Sequence, residues 1–251
     1  TRHWVAGVNH QAWFLRYEWN GKDAYPLLRE AAKRPEVYEA DIVRFEMLKF
    51  FGYFLTESSV HNSEYVPYFR RTKADIERYT DRRGGWAGAG LERTNAQIWR
   101  ASIEKGRGAL EDEATGDGPV AITPSQEYTV AIFDAIETNT PYRFNGNVLN
   151  TGLITNLPPG CCVEVPCLVD STGVHPCFVG DLPPQCAALN RGRIAGDECA
   201  VKGAIAGDRK MIEQAIALDP LTAASLTLDK VHALVDELFR GQKQWIDAFP
   251  A

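Results

Sequence analysis

No run of apolar residues in this 251-residue chain approaches the ~18 that a membrane-spanning helix needs, and no secretory leader is visible at its start. An excess of positive charge is also lacking. The 27 Lys and Arg stand against 33 Asp and Glu, a formal net charge of −6, which argues against a nucleic acid held by phosphate neutralisation. Most of the chain has no cysteine: Cys161, Cys162, Cys167, Cys177, Cys186 and Cys199 all fall in one stretch. They do not make the two close pairs of a zinc site, and a disulfide framework belongs to smaller, secreted domains. Small thiols packed in and around a sheet are expected instead, in a reducing cytoplasm. A phosphate-binding glycine loop is missing too. Gly84-Gly85-Trp86-Ala87-Gly88-Ala89-Gly90 does not fit G-x-G-x-x-G and follows no apolar strand, so it reads as a mobile surface loop.

What is present fits a compact domain, with 45% hydrophobic residues. Residues 4–19 read as one strand ending in the polar turn Asn20-Gly21-Lys22-Asp23. Met47, Phe50, Phe51 and Phe54 recur at helical spacing, which predicts an amphipathic helix over about 40–55. Thr123-Pro124-Ser125-Gln126 is a capping-box start for a helix that reaches about Glu137 and buries Tyr128, Ala131, Ile132 and Ala135. Two or three strands are expected over 142–180, with a turn at Asp170-Ser171-Thr172-Gly173. Helices over about 184–216 and 228–240 close the chain, with Asp219-Pro220 as a helix boundary. Residues 106–118 form a polar loop. Helices mixed with a sheet, without a nucleotide loop, indicate an α+β domain.

Asn9 and His10 lie in the apolar run Ala6-Gly7-Val8-Asn9-His10-Gln11-Ala12-Trp13. Such a pair offers an amide and an imidazole to one small site, although a lone His on a strand is more often a satisfied core residue. Three further segments accompany it: Phe45–Ser59 running into His61-Asn62-Ser63-Glu64-Tyr65-Val66-Pro67-Tyr68, Asn147–Pro158 running into Gly160–Asp170, and Leu218–Ala224. In this order, over nearly the whole chain, they resemble the NAD- and manganese-dependent family 4 glycoside hydrolases, specifically the alpha-galactosidase branch. The resemblance covers that family's C-terminal part only. It implies that residues 1–251 form a substrate domain of lactate/malate dehydrogenase-like architecture. In the family this domain follows a Rossmann domain, which is absent here, so the NAD-binding half is a separate chain or a missing segment.

The resemblance also implies a chemistry outside the usual two-carboxylate scheme. NAD takes hydride from C3 of the sugar, a base takes the C2 proton, the aglycone is eliminated, water adds, and the hydride returns. A metal stabilises the enediolate. His10 is the implied metal ligand, partnered by a cysteine that this chain lacks, so Mn2+ and NAD are both expected to need the other half. Tyr65 is the expected base and His61 the alternative, with a stacking wall as the competing role for Tyr65. Asn9, Asn150 and Asn156 are candidate contacts to substrate hydroxyls, against roles as caps and turn formers. Glu164, in an apolar strand, needs a partner if buried. Arg70, Arg71 and Lys73 offer charge for a phosphorylated sugar, though a solvated basic cluster is commoner. An alpha-galactoside is the expected substrate, with glucosides and uronides as alternatives. A homo-oligomer is expected. The rival reading is a non-catalytic sugar-binding or assembly protein.

Overall fold

The structure, a computed structural model, describes residues 1–80, 100, 103–104, 106–107 and 127–246. The glycine-rich segment at 84–90, the capping box at Thr123–Gln126 and most of the polar loop at 106–118 lie outside the described residues. The expected α+β character is what forms. Strands β1 (Arg2–Val8), β2 (Gln11–Trp19) and β3 (Lys22–Asp23) lead into helices α1 (Tyr25–Ala31), α2 (Pro35–Ala40), α3 (Ile42–Phe51), α4 (Ser59–Asn62) and α5 (Lys73–Tyr79). Then come α6 (Thr129–Thr138), β4 (Tyr142–Leu149), β5 (Cys162–Asp170) and β6 (Gly173–Pro176). Helices α7 (Pro184–Ala206), α8 (Arg209–Leu218), α9 (Pro220–Ser225) and α10 (Leu228–Gly241) follow.

The strands form an antiparallel sheet in the order β3-β2-β1-β5-β4, with β6 also on β5. The stretch 4–19 is therefore two strands, not one. Val8 pairs with Gln11, which leaves Asn9-His10 as a two-residue hairpin turn. His10 takes φ 64°, a left-handed conformation that Asn, Asp and His adopt more readily than most residues. A single strand of sixteen residues would also have far exceeded the usual five or six, roughly. Gly7 is required beside that turn: a Cβ there would lie 2.6 Å from the Gln11 carbonyl oxygen, at a φ of +155°.

The predicted helix over 40–55 stops at Phe51, because Gly52 caps it in the left-handed conformation (φ 82°). Its inward face is Ile42, Val43, Phe45, Met47 and Leu48, whereas Phe50 points outward, 82% exposed. Phe54, beyond the cap, reaches the core as part of an extended segment. Of the positions expected inside α6 only Ala135 is fully buried, and Tyr128 is half exposed. The helix expected over 184–216 breaks at Gly207 (φ 65°), with Asp208 capping the next through Met211 N–H. Asp219 caps α9 with Pro220 behind it, the boundary the sequence indicates.

One core layer joins β1 and β5 (Ala6, Val8, Val163, Val165, Cys167) to α7 (Ala187, Ile194). A second gathers Trp13, Val43, Met47, Leu55 and Val66 against Cys186 of α7. All six cysteines are free; Cys167 and Cys186 are buried, but Cys162 is exposed. Full burial of an apolar side chain contributes ~1.5–3 kcal/mol. Trp13 is fully buried and its polar edge is satisfied as well: its indole N–H donates to Asn190 Oδ1 at 3.1 Å. The Asn190 amide donates in turn to the Gln11 carbonyl at 2.8 Å. Helix α7 thus holds the hairpin that carries Asn9 and His10.

Candidate active site

The hairpin delivers His10, and the connection after α3 delivers its neighbours. Ser59 Oγ accepts from Val43 N–H at 3.1 Å and donates to Asp41 at 2.6 Å, while Arg44 donates to the Leu55 carbonyl. These bonds tie the segment Leu55–Ser59 to the start of α3. Thr56 N–H then donates to the Ala12 carbonyl at 3.0 Å, which brings Glu57 alongside the hairpin. Ser58 caps α4 by accepting from His61 N–H, so His61 returns over Glu57.

The outcome is a compact group. His10 and His61 stack with ring centroids 5.1 Å apart, and Tyr65 stands 5.6 Å from His10. Glu57 lies between the histidines, 3.1 Å from His61 Nδ1 and 3.7 Å from His10 Nε2. One ligand atom each from His10, Glu57 and His61 lie within 4.8 Å of one another. Burial works against the Glu57 charge, but the Ser58 N–H, His61 and the nearby His10 outweigh it and hold the carboxyl below its usual range. Two imidazoles and a carboxylate suit a divalent first-row ion. The sequence pointed to His10 alone as a candidate ligand and gave Glu57 no place beside it. Its only signal was a carboxylate four residues before His61, one helical turn away.

Tyr65 joins this group to a cavity of about 480 Å³ whose walls include Asn9, Tyr65, Gly160, Cys161, Arg193 and Asp197. Arg193 lies over the Tyr65 ring at 4.8 Å. Burial pushes the Tyr65 phenol up, and the Arg193 charge opposes that. The guanidinium is held by Asp197, with nitrogen–oxygen distances of 3.1 and 2.9 Å.

Asn9, His10, His61 and Tyr65 therefore converge. Asn150 and Asn156 do not join them. The buried Asn150 amide donates to the carbonyls of Ile154, Leu157 and Pro158, and its oxygen accepts from Ile154 N–H. Asn156 exchanges two hydrogen bonds with the Leu182 backbone. Both amides are occupied in closing the loop between β4 and β5 and fastening it to the start of α7, so the turn-forming role applies rather than substrate contact. Arg70 is likewise committed: it donates to Ser63 Oγ at 2.7 Å and to the Val60 carbonyl, and pairs with Glu64. Among the described residues, no helix is long and apolar enough to cross a membrane.

Comparison with known proteins identifies the family. Residues 5–222 match the family 4 glycosyl hydrolase C-terminal domain. An alpha-galactosidase of Bacillus subtilis is 37% identical over 98% of this chain and 55% of its own length. One of Rhizobium meliloti is 33% identical over 97% of this chain and 50% of its own. A 6-phospho-alpha-glucosidase from gut microorganisms, solved with NAD and glucose-6-phosphate, superposes with a TM-score of 0.73 at 19% identity, over 97% of this chain and 56% of that one. Another, solved with NAD and Mn2+, gives 0.64 at 18% identity, over 99% and 55%. The chain thus spans about half the length of the curated relatives it matches. With the matched region covering most of its residues, the chain belongs to family 4 of the glycosyl hydrolases and carries that family's C-terminal domain.

Proposed function

We propose that residues 1–251 act as the substrate domain of an NAD- and Mn2+-dependent glycosidase that cleaves unphosphorylated alpha-galactosides, working with a nucleotide-binding half. The observation that carries this reading is the convergence of His10, Glu57 and His61 beside Tyr65 and a cavity lined by Asn9. His10, Glu57 and His61 would hold the metal, which when bound supplies Lewis-acid polarisation of vicinal sugar oxygens. NAD, held by the other half, supplies a hydride acceptor for C3.

The remaining work falls to this chain. Asn9 donates to a sugar hydroxyl and fixes the ring in the cavity. The Tyr65 phenolate accepts the C2 proton and later returns it. A phenol ionises little at neutral pH; burial raises Tyr65 further and the Arg193 guanidinium over its ring only opposes that rise, so ionisation awaits the bound metal's charge. His61 directs Nδ1 to Glu57, which supports a ligand's role over a base's.

The galactoside choice rests on the two alpha-galactosidase relatives and on charge. A sugar phosphate needs cations with bonding capacity to spare. Arg70 braces its own loop, Lys73 pairs with Glu77, the exposed Arg71 does not line the cavity, and in the cavity Arg193 and Lys202 each pair with an acid one turn away on α7. The deciding assay gives the chain, together with its nucleotide-binding half, NAD, Mn2+ and a reductant. Galactosides should turn over, glucosides and uronides should lag, and 6-phosphorylated sugars should not react. Binding of galactose without turnover would transfer the chain to the sugar-binding class.

A further inference from the structure

Among the described residues, three buried side-chain atoms find no hydrogen-bonding partner in the protein: Gln11 Nε2, Asn62 Nδ2 and Asn62 Oδ1. Both amides are fully buried. Each follows a histidine of the metal cluster, Gln11 after His10 and Asn62 after His61. Buried polar groups are nearly always bonded, so unpaired amides beside both histidines call for a physical cause.

Gln11 points to the same side of the sheet as the sugar cavity. It shares a face of β2 with Trp13, and both meet Asn190 of α7: Gln11 Oε1 accepts from the Asn190 amide at 3.3 Å, and Trp13 donates to its oxygen. About one turn further along α7, Arg193 covers the Tyr65 ring. Trp13 bridges to Leu55 in antiparallel fashion, and Thr56 N–H donates to the Ala12 carbonyl. Continued by two residues, that register sets Gln11 opposite Glu57. Asn62 comes from the other element. Its carbonyl accepts from Tyr65 N–H at 3.1 Å, so its backbone stands between His61 and Tyr65, whose rings both meet His10. The His10 and His61 rings are 5.1 Å apart, and behind them the chain sends one amide inward from each side.

We propose that Gln11 and Asn62 share an internal water molecule behind the His10–Glu57–His61 cluster, and that this bridge holds the hairpin and α4 at ligand spacing. The inference rests on the metal role given to that cluster above. The unpaired atoms match what one water can satisfy. It accepts from the Gln11 and Asn62 N–H groups and donates to Asn62 Oδ1, about three bonds in all, the ordinary number for a buried water. Neither residue lines the sugar cavity, so both are positioning residues that act through the histidines they adjoin. Hydrogen-bonded groups behind metal ligands fix the ligands' orientation, and their loss typically weakens metal binding by roughly 10- to 100-fold.

The test uses the chain together with its nucleotide-binding half. Asn62→Leu replaces the amide by an apolar side chain of similar size. Gln11→Met does the same, while Asn190 still donates to the backbone carbonyl at that position. Mn2+ dissociation constants are read by electron paramagnetic resonance, with thermal unfolding of the metal-free protein alongside. Each single variant should weaken Mn2+ binding by about 10-fold or more. The double variant should bind no worse than the weaker single, because either change loses the same water. Asn62→Ser, which keeps a hydroxyl and leaves room for a second water, should recover most of the affinity. A crystal structure of the unaltered enzyme should show a water within hydrogen-bonding reach of both amides, and a dry site there overturns the proposal. Unchanged Mn2+ affinity in both single variants also overturns it, and a higher melting temperature in Asn62→Leu would then identify that amide as unpaired. Additive losses in the double variant would put the amides in separate sites and remove the bridge. If His10→Ala binds Mn2+ as tightly as the unaltered enzyme, the metal reading itself fails and the proposal falls with it.

Discussion

His10 reaches the site through its own backbone. At φ 64° it projects its ring off the end of the hairpin, where a residue in either strand would point into one face of the sheet. That is why His10 meets both Glu57 and His61, and why Tyr65 can approach the same ring. The proximity of two candidate bases calls for a comparison between them. Tyr65→Phe removes one oxygen and leaves the ring beside His10 and under Arg193. In the complete enzyme it should bind substrate normally while C2 exchange slows by about 100-fold or more, read by deuterium incorporation. His61→Ala should instead weaken Mn2+ binding, and exchange should return at saturating metal. If exchange survives in Tyr65→Phe and vanishes in His61→Ala under saturating Mn2+, the roles are reversed.

Elements explain which parts of the fold were legible in the sequence. Alternation and turn residues were sufficient for β5, β6 and the Asp170–Gly173 turn, and the Asp219-Pro220 cap announced α9. The hairpin was not legible, because Asn9-His10 lacks the glycine that usually marks such a turn. The end of α3 was obscured because Phe54 continues the apolar spacing past Gly52. The site was half legible. Asn9, His10, His61 and Tyr65 could be picked out, but Glu57 joins them only through the Thr56–Ala12 pairing, a contact no local pattern encodes. Asn150 and Asn156 were misleading for a physical reason: an amide that clamps a turn and one that binds a hydroxyl are the same residue type. The two glycines give a quantitative check on this account. Gly52→Ala meets nothing within 4 Å and should cost about 1 kcal/mol for the left-handed backbone alone. Gly7→Ala must displace the backbone of β2 and should cost several-fold more or prevent folding. Urea unfolding of the two variants should separate them clearly; equal costs would mean the β1–β2 packing is looser than described.

At the scale of the whole molecule, stability should depend on pH through Glu164. Its folded pKa, about 7, lies above the ordinary 4.5, so the folded state binds the proton more tightly than the unfolded chain does. The stability this confers is complete below about 4.5 and is lost as pH rises through about 7. The shift corresponds to something on the order of 3 kcal/mol. Glu57, held below its usual range, acts with the opposite sign, and its contribution fades only as pH falls below the ordinary carboxylate range. Urea midpoints measured between pH 5 and pH 8 (roughly the window set by these shifts) should fall toward the alkaline end. Glu164→Gln should flatten the fall, and an unchanged slope would show that this half-buried carboxyl does not carry the dependence. The brace between hairpin and α7 bears on how the molecule assembles in time. Asn190 lies 177 residues after Trp13 and 179 after Gln11, so the polar brace behind the turn bearing His10 waits on a distant helix. Closing a loop of that length is entropically slow. Within this domain the hairpin bearing His10 is therefore fully braced only after α7 has formed.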